Sequence, residues 1–143
     1  MNDPKHSRHV LKSIGAVVAG LLVGIILSLG TDLLLQALKV LPPWTQPMSN
    51  NHFVLVTVYR VIFAIVGSYV GARLAPNQPM KHALVLGVIG FLLSTLGLIL
   101  TWNAGPEFGP KWYPIALILT SIPCAWVGGK LRTMQLHGNA IEA

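Results

Sequence analysis

Four long stretches almost free of charge dominate this chain, and they decide its solvent. Residues 13–38, 53–72, 83–102 and 112–129 each come close to or exceed the roughly 20 apolar residues that a helix needs to cross a bilayer core. The first holds one charged residue, Asp32, the second one, Arg60, and the last two none. A membrane β-barrel would instead alternate apolar and polar positions over about 10 residues, and the run 17–29 shows no alternation. Turn-forming residues mark the same boundaries independently. Pro42, Pro43, Pro47 and Ser49–Asn51 fall between the first two stretches, Pro76 and Pro79 between the next two, and Gly105, Pro106, Gly109 and Pro110 before the last. The expected fold is an all-α, integral membrane four-helix bundle, up-down-up-down, in one domain over residues 1–143.

Composition narrows the function classes. Only 10% of residues are charged and 53% are hydrophobic, against about 25% charged in soluble domains. This excludes a soluble enzyme domain, an extended basic surface for nucleic acid, and a disordered acidic or basic tail. The net charge of +6 therefore reads as a topology signal. Lys5, Arg8, Lys12, Arg73, Lys81, Lys130 and Arg132 flank one side of the spans, against Lys39 and Lys111 on the other. Cytoplasmic loops carry the excess of Lys and Arg, so both termini are expected in the cytoplasm, in the plasma membrane or, in a prokaryote, the inner membrane. Trp44, Trp102, Trp112 and Tyr113 fall at the opposite ends, where amphipathic rings sit at headgroup level. The first span is too long for the apolar region of a secretory signal, about 7 to 15 residues, and is expected to stay uncleaved.

Helices in lipid associate by close packing, so small residues at helical spacing mark contact faces. Such rows are Gly20 and Gly24 with Ala16 and Ser28, Gly67 and Gly71 with Ala64, and Gly87, Gly90 and Gly97 with Ala83 and Ser94. The fourth span carries Ala116, Thr120, Cys124 and Gly128. A lumen lined by Ser28, Ser94 and Thr120 is one consequence; a homo-oligomer seam or a membrane partner protein is another. Residues 16–30 also echo residues 83–97, and Val70–Leu74 echoes Val127–Leu131, which suggests parallel repeats about an axis along the membrane normal.

Asp32 and Arg60 each cost several kcal/mol alone in hydrocarbon. Asp32 lies about 9 Å below Leu38 and Arg60 about 10.5 Å below Phe53 at 1.5 Å per residue, so the first hairpin brings them to one depth. A salt bridge is expected, with Tyr59, Thr31 and Gln36 near enough to assist. The pair either fixes the register of the hairpin or forms a polar site. The five histidines do not cluster; His6 and His9 are expected in a solvated tail. No metal site, cofactor or catalytic constellation is expected, and Cys124 reads as a packing residue. Pro123 is expected to kink the fourth span. Two functional readings follow. A packing or accessory module predicts a dry, closed bundle; a small-solute or proton-coupled transporter, or an oligomeric channel, predicts a polar cavity reaching Asp32 and Arg60.

Overall fold

A computed structural model describes residues 4–143. It consists of helices α1 (Pro4–Ala37), α2 (Asn50–Leu74), α3 (Pro79–Thr101) and α4 (Trp112–Glu142), with one 3-10 turn at Pro106–Phe108. All four helices are long and apolar enough to cross a membrane, and among the described residues there is no strand.

Local chemistry sets the ends. Helix α1 stops where Lys39 takes a left-handed conformation (φ 58°) and the Val40 and Leu41 amides fold back to donate to the Leu35 carbonyl, the way a helix C-terminus satisfies orphan carbonyls. Helix α2 starts at Ser49, whose backbone amide donates to His52 Nδ1 at 3.2 Å. Helix α3 starts on Pro79, whose missing amide costs nothing at the first turn. Two helices run well beyond their apolar stretches. His6 and His9, expected in a solvated tail, instead lie in the first turns of α1, and α4 continues to Glu142. Hydrogen bonding carries the helix on past the point where the sequence turns basic. Helix α4 also passes through Pro123 without a break.

Helix α2 is the hub. It packs on α1, α3 and α4, α3 packs on α4, and α1 meets α3 only locally. Helices α1 and α2 run antiparallel with their backbones in contact. A Cβ on Gly20 would lie 2.6 Å from the Gly67 carbonyl oxygen, and one on Gly67 would lie 2.7 Å from the Gly20 carbonyl oxygen. Helices α3 and α4 cross in the same way, with Gly87 against Ala125 and Gly129 against Ala83. The two crossings are alike but only half follow the echo read in the sequence: Ala83 and Gly87 stand at its offset from Ala16 and Gly20, whereas Gly129 and Ala125, which they meet, lie one residue past the Gly128 and Cys124 that the echo pairs with Gly71 and Gly67. Helices α2 and α4 run parallel, joined near one end by Trp112 Nε1 donating to Asn50 Oδ1 (2.7 Å) and near the other by Tyr69 Oη donating to Gln135 Oε1 (2.7 Å).

Not every glycine in the expected rows packs. Gly24 and Gly90 have only ordinary contacts at their Cβ positions, 3.7 Å from the Phe63 carbonyl oxygen and from Ser121 Cβ. Gly97 meets nothing within 4 Å and makes no close contact within the bundle, because the tight crossing of α3 with α4 is centred on Ala83 and Gly87. Gly128 and Gly129 hold such contacts instead. A Cβ on Gly128 would lie 2.7 Å from the Ile65 carbonyl oxygen.

Candidate functional site

The ends of the helices that carry loops 38–49 and 102–111, the two-loop end, also hold the two charges. Antiparallel packing of α1 on α2 sets Asp32 opposite Arg60, and Arg60 Nη2 donates to Asp32 Oδ2 at 3.0 Å. Tyr59, one residue before the arginine, donates from its hydroxyl to Asp32 Oδ1. The carboxylate therefore has both oxygens engaged, as a buried charge requires. No side-chain hydrogen bond of Thr31 or Gln36 joins this group among the described residues.

Loop 38–49 helps to cover the site. Leu41 folds back until it is 4% exposed and joins Val56 and Tyr59 in a small core flanked by Leu35, Met48, Phe63 and Tyr113. Tyr113, expected at headgroup level, turns inward: its ring centroid lies 5.2 Å from that of Phe53 and 5.8 Å from Arg60 Cζ. An aromatic at a helix start reads as an interface anchor until the partner helix is known. Here the partner is α2, and Tyr113 offers its ring to the guanidinium.

The two members of the pair are not equally accessible. The Arg60 side chain is 33% exposed and that of Asp32 6%. Arg60 faces a cleft of about 370 Å³, walled by α1 on one side, α3 and α4 on the other, with α2 behind, within the range of about 300–1,000 Å³ usual for ligand sites. Leu86 closes the far end, its side chain seated against Gly20 and Gly71. Ser28, Ser94 and Thr120, the expected lumen residues, all line the cleft, as do Ser68 and Ser121.

The hydroxyls fall into two groups. Those of Thr120 and Ser121 donate to carbonyls of their own helix, Ala116 at 2.8 Å and Ile118 at 2.7 Å, the usual solution for a hydroxyl in hydrocarbon. Ser28, Ser68 and Ser94 have no hydrogen-bond partner among the described residues. Arg60 Nε is likewise buried without a partner. Three hydroxyls thus present unmet hydrogen-bonding capacity within an otherwise apolar cleft that the Arg60 side chain also lines.

Among known proteins, no family model, no curated protein and no solved structure matches the chain. The internal echo supplies a comparison of its own. At the two offsets of the echo, Asp32 corresponds to Ile99 and Arg60 to Leu117, so the second hairpin, whose close crossing lies one residue off that register on α4, does not carry the charges. The crossing is generic packing; the charged pair is specific to the first hairpin. Among the described residues, no three His, Cys, Asp or Glu side chains gather around a common point, and Cys124 is buried in the packing.

Tyr59 is the residue whose role in holding the carboxylate is easiest to isolate. Tyr59→Phe removes one hydroxyl and leaves the arginine contact intact. The expected loss is about 1.5–3 kcal/mol, the range for a hydrogen bond to a charged group, read as a shift in the reversible unfolding curve in mixed micelles. An unchanged curve would show that the hydroxyl does not hold the carboxylate.

Proposed function

We propose that this is a non-catalytic, multi-pass plasma-membrane protein that binds a small solute in the cleft beside Arg60. Its helices run up-down-up-down, both termini are cytoplasmic, and the two-loop end lies in the outer half of the bilayer. The observation that carries the reading is the unequal exposure of the pair. Asp32 is held from behind by Tyr59 and serves to fix Arg60, while the guanidinium faces open space that a packing module has no use for. A free carboxylate waiting for a cation is the opposite arrangement. The transporter reading is therefore favoured over the packing or accessory module, which needs a second copy or a partner protein to fill the cleft.

Thiol labelling tests both cleft and orientation. In a Cys124→Ser background, Ser94→Cys is expected to react with a membrane-impermeant, uncharged sugar-bearing methanethiosulfonate added outside intact cells, because water follows a partly exposed arginine into the membrane. Ile99→Cys, on an exposed apolar position of the same helix, is expected to stay unlabelled. If Ser94→Cys and Ser28→Cys both resist the reagent, the cleft is filled or dry and the accessory reading replaces this one. Labelling only by reagent added to the outside of inverted vesicles, which is the cytoplasmic face, would reverse the orientation.

A further inference from the structure

We infer that the occupant of the cleft is a neutral single-chain amphiphile whose head accepts hydrogen bonds, of the monoacylglycerol type, and that the cleft selects it against a carboxylate of equal chain length. This rests on the solute-binding reading above.

Three observations carry it. The first is charge. Among the described residues Arg60 is the only ionisable side chain lining the cleft, and its charge is already balanced by Asp32 at 3.0 Å. An anionic head would add an uncompensated charge in a poorly solvated place, and a cationic head would meet the guanidinium before the carboxylate behind it. A neutral head meets neither penalty. The second is the placement of unmet donors. Leu86 sits against Gly20, and eight residues further along their helices come Ser94 and Ser28, both about 12 Å away at 1.5 Å per residue. The antiparallel partner places Arg60 near that same level, as Gly24 faces Phe63. Two unpartnered hydroxyls and Arg60 therefore converge at one end of the cleft, and acceptor oxygens on a ligand head would satisfy them. The third is shape. From that polar end the cleft runs toward Leu86 between Leu21, Ile25, Phe63 and Leu93, a mainly apolar length suited to a short acyl chain, with Ser68 the one unpartnered hydroxyl near the Leu86 end. The hydroxyl-bearing, ester-bearing head lies at Arg60 and the tail points to Leu86.

Native mass spectrometry of the full chain, released from a non-ionic detergent at pH 8, compares 1-monodecanoylglycerol with decanoate. The neutral probe is expected to bind about tenfold more tightly. Arg60→Lys keeps the positive charge and removes the planar guanidinium that faces the cleft; it is expected to weaken the neutral probe severalfold. Should that variant fold poorly, Ser28→Ala with Ser94→Ala leaves the ion pair untouched and is expected to weaken the same probe. Equal or tighter binding of decanoate overturns the inference, as does binding of the neutral probe that ignores both variants. If neither probe binds while Ser94→Cys still labels from outside, only the ligand class is wrong; if neither binds and the thiol is unreactive, the solute-binding reading falls with it.

Discussion

Asp32→Ala is expected to destabilise the fold by about 3–5 kcal/mol, the usual cost of removing one member of a buried ion pair. Asp32 as a whole is 4% exposed, and its carboxylate accepts from two side chains at once, Tyr59 and Arg60. Its loss leaves the tyrosine hydroxyl unsatisfied and the guanidinium, which cannot give up its proton, without a counter-charge inside hydrocarbon. Arg60→Gln is expected to cost less, because Tyr59 still donates to Asp32 and the introduced amide can donate as well. The measurement is reversible unfolding in mixed micelles of rising denaturing-detergent fraction. The exchange Asp32→Arg with Arg60→Asp completes the series. Partial recovery over the worse single change would show that pairing itself stabilises the hairpin; no recovery would assign the cost to the environment of each residue.

The second large effect is expected at the glycines where backbone meets backbone. Gly20→Ala puts a methyl 2.6 Å from the Gly67 carbonyl oxygen and 2.7 Å from Leu86 Cδ1. The leucine can move, but the carbonyl belongs to the facing helix, so α1 and α2 must separate. Overpacking of this kind costs about 1–3 kcal/mol, and Gly67→Ala is expected to match it because the contact is reciprocal. Gly20→Leu is expected to unseat α1 altogether. The control is Gly97→Ala, where the methyl meets nothing within 4 Å. It is expected to be neutral or to stabilise by about 0.5–1 kcal/mol, since alanine restricts the unfolded helix more than glycine does. Equal losses at positions 20 and 97 would mean that helix propensity, and not the crossing, governs these sites.

These contrasts show what kind of information the sequence holds. The four helices were legible because apolar length and Pro-rich punctuation agree on their number. Their ends were not, since hydropathy reports where hydrocarbon stops, whereas the backbone ladder continues through Lys5–Lys12 and on to Glu142. Depth counting put Asp32 and Arg60 within reach of each other without saying which would face open space. That depends on how α3 and α4 lie across α2, which no local pattern encodes. For the same reason a row of small residues could list Gly87, Gly90 and Gly97 as equals although only the first is tightly packed. Tyr113 was read as an interface ring because it falls at the outer end of a span, and its turn toward Arg60 is a tertiary fact. The unpartnered state of Ser28, Ser68 and Ser94 is likewise visible only against Thr120 and Ser121, which bond to their own helix.

The hub position of α2 has a consequence for how such a chain can drift. Helix α2 spends Gly67 and Gly71 on α1, Ile65, Ser68 and Tyr69 on α4, and Tyr59 and Arg60 on the charged site. Within its most apolar window 28% of positions are buried, against 11% for α1. A saturation library scored for folded protein should therefore leave those contact positions of α2 nearly fixed, while its exposed positions, such as Val58 and Ile62, and the outward side of α1 accept almost any apolar residue. Over long divergence the second helix would be the part by which distant relatives of this chain could still be told apart from other small membrane proteins.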